Sequence, residues 1–218
     1  MAQIFPRSAD MWLRLALLIL FGGLVLLFVA LAVLDRSDYN TGKGWVVRQP
    51  VPFSHEHHAG ALKIDCRYCH DSVEVSAVAG LPPTDTCMSC HSQIWTGAEM
   101  LAPVRQSLVE GKPLRWNRVA ELPDYVYFQH NVHVNAGVGC ETCHGQVDTM
   151  PLMYRAETFT MSWCLDCHQD PAPRLRPHAA VTTMGWKTEH DRRALGERMI
   201  EEHHVDTENL THCYICHR

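Results

Sequence analysis

A short motif, Cys-x-x-Cys-His, occurs five times in this chain and constrains its fold more than any other feature. We number these motifs 1 to 5; they cover residues 66–70, 87–91, 140–144, 164–168 and 213–217. The cysteines are Cys66, Cys69, Cys87, Cys90, Cys140, Cys143, Cys164, Cys167, Cys213 and Cys216. The adjacent histidines are His70, His91, His144, His168 and His217. No cysteine lies outside a motif, so the fold must accommodate five equivalent groups of two thiols and one imidazole.

This spacing is typical of the covalent attachment of c-type haem. Two thiols one helical turn apart reach the two vinyl groups of a porphyrin, and the neighbouring histidine lies beneath the iron as its first axial ligand. We therefore predict five covalently bound haem c groups. A disulfide framework and structural zinc sites are the alternatives, but neither requires a histidine directly after every cysteine pair.

The density of these motifs limits the kind of core that the chain can form. From residue 53 to residue 218 there are about 33 residues for each haem. The porphyrins must therefore form the core, wrapped by short helices and loops. The predicted fold class is mainly α with much irregular loop: a multihaem cytochrome c domain of low secondary-structure content, preceded by a single N-terminal transmembrane helix. The apolar fraction of 46% excludes a disordered chain, and the net charge of −5 excludes a basic nucleic-acid binder.

Residues 15–34 are an uncharged run of apolar residues, long enough to cross a bilayer as one helix. Arg7 and Arg14 precede this run, which favours a cytoplasmic amino end and an exported haem domain. A cleaved signal peptide is the alternative, with a cleavage-like sequence at residues 30–32. Secretory apolar cores are usually about 7–15 residues long, however, which is shorter than this run. A buried core helix is disfavoured because the remaining chain has too little apolar surface to cover one.

The sequence pattern divides the chain into six segments. The predicted bounds are 1–36 for the membrane anchor, 37–52 for a linker, 53–91 for di-haem unit 1, 92–127 for a connecting segment, 128–168 for di-haem unit 2, and 169–218 for a C-terminal segment with the fifth haem. Within the last segment, residues 188–204 place Leu195, Met199 and Ile200 on one side, which predicts an amphipathic helix.

An internal repeat supplies candidates for the second axial ligand of each iron. Phe-x-His-x-x-His occurs at residues 53–58 and again at 128–133, and each copy is followed by a glycine and then by two haem motifs. Two histidines three residues apart lie nearly above one another on a helical turn and can reach two neighbouring irons. We therefore predict that His55, His58, His130 and His133 are distal ligands.

The second ligand of the remaining iron stays open at this point. Histidine candidates come from the last segment of the chain, and two methionines are alternatives because a thioether ligand raises the reduction potential of haem. These candidates are His190, His203, His204, His212, Met161 and Met184. His57 and His178 are weaker candidates.

Complete axial coordination predicts an electron-transfer protein. An iron with two protein ligands has no position for a substrate, so no catalytic site is expected in this chain. A multihaem nitrite, hydroxylamine or sulfur-compound reductase is the enzymatic alternative, and it needs at least one open iron. All five motifs retain their histidine, which disfavours such a site. A structural or assembly subunit without an electron-transfer role ranks third.

The repeat pattern and motif 1 resemble the class III multihaem cytochromes. One amino-terminal membrane helix, five motifs, the sequence Thr160-Met161-Ser162-Trp163 before motif 4, and a chain ending directly after motif 5 are similar to the pentahaem cytochrome c subunit of bacterial alternative complex III. The resemblance covers nearly the whole exported region. The anchored tetrahaem quinol dehydrogenases, which feed periplasmic reductases, are the second family of similar layout, but they carry fewer haems.

The resemblance to alternative complex III implies a set of partners and a location. The partners would be membrane-embedded quinol-oxidising subunits, an iron–sulfur subunit that donates electrons, and a monohaem cytochrome c or a terminal oxidase that accepts them. The chain would cross the bacterial inner membrane once and place its haem domain on the periplasmic side. Motif spacing by itself does not indicate quinol; that expectation comes from the resemblance.

Overall fold

The computed structural model describes residues 4–218, and the chain forms two compact units, Met1–Gly42 and Lys43–Arg218. Residues 1–3 of the predicted anchor lie outside the described residues. Helices and loops make up this described part, which contains no β-strand, only two isolated bridges. The predicted fold class, mainly α with much irregular loop, is confirmed.

The first unit is dominated by one long apolar helix, α1 (Ala9–Asp35). Its 27 residues include the whole predicted run at 15–34, and its most apolar stretch has a mean hydropathy of 3.1. At about 1.5 Å per residue the helix is about 40 Å long, compared with about 30 Å of bilayer hydrocarbon. None of its side chains is buried within the protein. Helix α1 is therefore long and apolar enough to serve as a single-pass membrane anchor. A short helix, α2 (Asp38–Thr41), follows it.

The second unit consists of short helices separated by loops. The α-helices are α3 (Cys66–Cys69), α4 (Thr84–His91), α5 (Ala102–Glu110), α6 (His130–Asn135), α7 (Cys140–His144), α8 (Met161–Gln169), α9 (Arg192–Glu202) and α10 (Cys213–Cys216). Shorter helical turns are a π-helical turn at Glu56–Ala61 and 3-10 turns at Glu99–Leu101, Val147–Thr149, Ala172–Arg174 and His178–Ala180. Helix α9 confirms the amphipathic helix predicted within 188–204, and its Leu195 and Met199 are buried.

Each motif lies on one of these short helices, and local capping helps to fix where two of them begin. The Asp65 carboxylate accepts a hydrogen bond from the backbone N–H of Arg67 at the start of α3. The Thr160 hydroxyl accepts one from the backbone N–H of Trp163 at the start of α8. Because both cysteines of a motif lie within one helical turn, their thiols project from the same face.

Three small apolar clusters take the place of a single core. They consist of Val51, Leu101 and Val104; of Val73, Val134 and Val181; and of Leu175, Leu195 and Met199. Only eleven apolar side chains of the described chain are buried. The polypeptide alone therefore buries little apolar surface, as expected for a chain that folds around large prosthetic groups.

Helix α9 packs directly against the turn Ala172–Arg174, and this approach depends on Gly196. A Cβ atom at Gly196 would overlap the backbone carbonyl of Ala172. We expect Gly196→Ala to push helix and turn apart and to lower the free energy of unfolding by about 1–3 kcal/mol. The thermal midpoint of the mature protein should fall accordingly. Gly97→Ala is the control, since nothing lies within 4 Å of an added Cβ there; equal midpoints for the two variants would contradict this packing.

Candidate haem-binding site

The ten motif cysteines are all unpaired thiols. Residues 4–218 contain no cluster of three or more His, Cys, Asp or Glu side chains arranged to hold a metal ion. Two thiols on one helical turn with an adjacent imidazole do fit the attachment of a porphyrin.

Three motif histidines face a histidine of the Phe-x-His-x-x-His repeat. The distances between ring centroids are 6.2 Å for His58 and His91, 6.3 Å for His130 and His144, and 6.1 Å for His133 and His168. Two imidazoles that bind one metal ion from opposite sides, each at about 2.0 Å, have centroids about 6.3 Å apart. The space between the rings of each pair is therefore as wide as a metal centre with two imidazole ligands.

His55 lies near motif 1 but also near His144 of motif 3. Its ring interacts electrostatically with the imidazole of His70. Its Nδ1 atom is buried without a hydrogen-bond partner. Three of the four repeat histidines thus face a motif histidine, and His55 interacts electrostatically with one; the sequence left open which histidine belongs to which motif.

Backbone carbonyls hold most of these imidazoles in a defined orientation. Nδ1 is bonded to the carbonyl oxygen of Ser54 in His58 (2.8 Å), Gly80 in His70 (2.8 Å), Ile94 in His91 (3.3 Å), Ala77 in His130 (2.9 Å), Gln129 in His133 (2.8 Å), Leu210 in His168 (2.8 Å) and Tyr125 in His217 (3.1 Å). A ring that donates its Nδ1–H to a carbonyl presents Nε2 as a neutral acceptor, the arrangement typical of metal-binding histidines.

A phenylalanine packs against both histidines in each repeat. Phe53 lies edge-on to His55 at 4.9 Å and stacks on His58 at 4.3 Å. Phe128 meets its two histidines in nearly the same way, edge-on at 4.8 Å and stacked at 4.4 Å. The repeat seen in the sequence is therefore also a repeat in structure, with each phenylalanine orienting two imidazoles at once.

Burial favours the neutral form of four of these histidines. Burial, together with a smaller effect of neighbouring imidazoles, lowers the pKa of His55 to about 4 and that of His144 to about 4. Burial also lowers the pKa of His58 and of His133, although the hydrogen bonds to backbone carbonyls act in the opposite direction. The neutral ring, which is the form that binds iron, therefore dominates at neutral pH.

A buried ion pair fixes motif 3, and the sequence analysis did not identify it. Arg176 lies 2.8 Å from Glu141, the second residue of the motif, and its side chain is 3% exposed. The guanidinium carbon also lies 5.1 Å from the ring centroid of Trp186. These contacts attach α7 to the segment that follows motif 4. Glu141 occupies one of the two positions between the cysteines, where any residue type can stand. The sequence therefore does not indicate that it pairs with Arg176.

Burial distinguishes some of the candidates for the second ligand at motif 5. The ring that lies against His217 is that of Tyr125, with centroids 5.8 Å apart. His203 has a buried Nε2 atom without a hydrogen-bond partner. His190, His204, His212 and Met161 are exposed, and Met184 is half-buried. An unpartnered buried ring nitrogen favours His203 among these candidates.

Comparison with known proteins finds a multihaem cytochrome that is similar to this chain. No family model matches the chain. The chain is 29% identical over 182 residues to the multihaem cytochrome c subunit of menaquinone reductase from Nitratidesulfovibrio vulgaris (strain Hildenborough). The similar region covers 78% of this chain and 77% of that protein. This similarity supports the interpretation of the chain as a multihaem cytochrome c.

Proposed function

We propose that this chain is a multihaem cytochrome c that carries five haem c groups and transfers electrons within a membrane complex that reacts with a quinone. The observation that carries the proposal is the set of three imidazole pairs at 6.1–6.3 Å, because each joins a motif histidine to a repeat histidine. The similarity to a multihaem subunit of menaquinone reductase supports it independently.

Three of the five axial-ligand assignments follow from these pairs; that of His55 rests on its electrostatic interaction with His70, and that of His203 on its buried, unpartnered Nε2 atom. We assign them motif by motif as His70 with His55, His91 with His58, His144 with His130, His168 with His133, and His217 with His203. The two cysteines of each motif form the thioether bonds. Each di-haem unit, 53–91 and 128–168, then supplies all four axial ligands of its own two irons.

Haem bound in this way supplies one-electron chemistry, since its iron alternates between the ferric and ferrous states. The protein contributes the environment for that change. Two imidazoles would hold each iron and would leave no place on it for a substrate. Bonds from Nδ1 to backbone carbonyls hold most of these rings in one orientation, and burial favours the neutral form of His55, His58, His133 and His144. The chain therefore acts as a conductor of electrons, and the catalytic site of the complex belongs to other subunits.

The sequence resemblance favours alternative complex III as the specific assembly. In that setting an iron–sulfur subunit donates electrons, a monohaem cytochrome c or terminal oxidase accepts them, and membrane-embedded subunits oxidise quinol. A complex that reduces menaquinone is the second candidate, favoured by the name of the relative. Helix α1 would anchor the chain in the bacterial inner membrane, with the haem domain on the periplasmic side.

The identity of the complex can be tested by purifying it from native membranes. Alternative complex III predicts iron–sulfur and multi-helix companions and reduction of the haems by added quinol. A menaquinone reductase predicts that chemically reduced haems are reoxidised by added menaquinone. An anchored quinol dehydrogenase, the remaining alternative, predicts that quinol reduces the haems of this chain alone in membranes. Isolation as a single subunit inert towards quinones would contradict a role in such a complex.

The number of haems can be tested by weighing the mature protein. We expect its intact mass to exceed that of the polypeptide by five haems, because all ten cysteines lie in motifs of one kind. EPR spectroscopy of the oxidised protein should show low-spin ferric iron, as expected for irons with two imidazole ligands. A mass equal to the bare chain, or high-spin irons that turn over a small molecule, would contradict the proposed function.

A further inference from the structure

Contacts between motifs fix which of them are neighbours in space. Motifs 1 and 2 meet through the residues between their cysteines. The hydroxyl oxygens of Tyr68 in motif 1 and Ser89 in motif 2 are 3.0 Å apart. The Cys69 thiol also lies within electrostatic range of the Cys87 thiol. Motif 2 is therefore next to motif 1.

Motif 1 also meets motif 3, although 70 residues separate His70 from Cys140 in the sequence. The Sγ atoms of Cys66 and Cys140 lie within hydrogen-bonding reach of each other. Both cysteines contact the same turn: the Cys66 sulfur lies 4.0 Å from the carbonyl oxygen of Thr182, and the Cys140 N–H donates to the carbonyl of Val181 at 3.0 Å. Motifs 1 and 3 are thus joined at their first cysteines.

Motif 3 meets motif 4 through two aromatic rings. The His144 ring lies 6.5 Å from that of Phe159, which in turn lies 5.2 Å from that of Trp163, directly before Cys164. The distal histidines of motifs 3 and 4, His130 and His133, also share helix α6. These two motifs are therefore neighbours.

Motif 4 meets motif 5 through a backbone contact. The Nδ1 atom of His168 is bonded to the carbonyl oxygen of Leu210 at 2.8 Å, three residues before Cys213. The Cys164 thiol also lies within electrostatic range of the Cys216 thiol. Motif 5 thus extends the row beyond motif 4.

Building on the proposed function, we propose that the haems form one row in the order 2–1–3–4–5, so that electrons enter and leave at the haems of motifs 2 and 5. This order differs from the order of the motifs in the sequence, in which motif 1 would be terminal. It arises because the two di-haem units meet head to head, each through its first motif. The haem of motif 1 becomes an obligatory intermediate.

The chemistry of the row is a sequence of single-electron transfers. At each step a ferrous haem is oxidised to ferric and its ferric neighbour is reduced to ferrous, with no bond made or broken. A one-electron donor partner, of the iron–sulfur or haem class, docks at one end, and an acceptor partner of the same classes docks at the other. Because tunnelling rates fall steeply with distance, transfers between adjacent haems dominate.

The order can be tested by timing the arrival of one electron at a marked haem. Glu208→Cys, five residues before motif 5, provides the attachment point for a photoactive ruthenium complex, since every native cysteine is bound to haem. A light flash excites the ruthenium complex, which then transfers one electron to the nearest haem. An added amine donor reduces the oxidised ruthenium again. Four variant proteins each carry one marked haem. The marked haems are those of motifs 4, 3, 1 and 2, in the variants His133→Met, His130→Met, His55→Met and His58→Met. A ferric haem with a methionine ligand has a distinctive far-red absorption band that is lost on reduction.

In a row, an electron must pass every nearer haem before it reaches a farther one. The time to reach the marked haem should therefore lengthen in the order His133→Met, His130→Met, His55→Met, His58→Met. The decisive comparison is between the last two variants, because they exchange places if the haems follow sequence order. Attachment of ruthenium through Thr96→Cys, five residues after motif 2, should reverse the series.

The two proposals fail in different ways. A protein without haem would contradict the proposed function. A protein with its full haem mass in which the His58→Met haem is reduced before the His55→Met haem would overturn the order alone. If a variant does not fold, electron microscopy of the haem-loaded protein gives the iron positions directly. Adjacent irons at motifs 1 and 3 would support the order, and adjacent irons at motifs 2 and 3 would overturn it.

Discussion

Replacing both Cys140 and Cys143 by alanine is expected to remove one haem and to prevent the second unit from folding. Cys140 packs against the cluster of Val73, Val134 and Val181, so the haem of motif 3 belongs to the centre of this unit. A cavity costs about 24 cal/mol per Å³, and one the size of a porphyrin, on the order of 500 Å³, costs about 12 kcal/mol. That is comparable to the entire stability of a typical domain, about 5–15 kcal/mol.

The matched control is the same double substitution in motif 5. Cys213 is exposed, and none of the three apolar clusters of the described chain includes a residue of motif 5. We expect Cys213→Ala with Cys216→Ala to lose one haem while the other four remain in a folded protein. Intact mass counts the haems, and the yield and thermal midpoint of the mature protein report folding. Equal losses of stability from the two double substitutions would show that the haem of motif 3 has no special place in the core.

Substituting His58 by methionine is expected to raise the reduction potential of the motif 2 haem by on the order of 100 mV. His58 faces His91 at 6.2 Å, so a thioether at this position would replace an imidazole as the second axial ligand. Sulfur stabilises ferrous iron more than imidazole does. In an optical redox titration, one fifth of the haem absorbance should change at a higher potential, and the far-red band of a methionine-ligated haem should appear.

His57→Met provides the control on the same helical turn. The His57 side chain is exposed and stacks on the ring of Trp95 at 6.2 Å, so it is not assigned to an iron. Its substitution should leave the titration unchanged and produce no far-red band. If the reduction potential shifted in the His57 variant and not in the His58 variant, the ligand of the motif 2 haem would be His57. That result would contradict the assignment of His58.

Local spacing was enough to predict the chemistry of each motif. Five residues set the two thiols and the imidazole of a haem site, because a single helical turn fixes their relative positions. The Phe-x-His-x-x-His repeat likewise predicted four distal histidines, three of which face a motif histidine in the structure. The apolar run at 15–34 predicted helix α1 because its length and composition suffice on their own.

Other contacts left no sequence signal. The backbone carbonyl groups of Tyr125 and Leu210 are bonded to the imidazoles of His217 and His168. Because every residue has a carbonyl group, residue type does not reveal these contacts. The pair of Arg176 and Glu141 joins charges 35 residues apart, and neither stands out in the sequence. Which haem motif meets which was equally hidden, because it depends on how separate segments of the chain pack together.

The sequence alone therefore determined the number of motifs, the thiols and first histidine of each, and the apolar helix, since these depend on residues within one or a few turns. The tertiary structure decided which imidazoles face each other and which motifs are neighbours, and the proposed order 2–1–3–4–5 rests on these contacts. Contacts such as that between Cys66 and Cys140 form only when distant segments pack around the same turn at residues 181–182. Motif spacing carries no information about such packing.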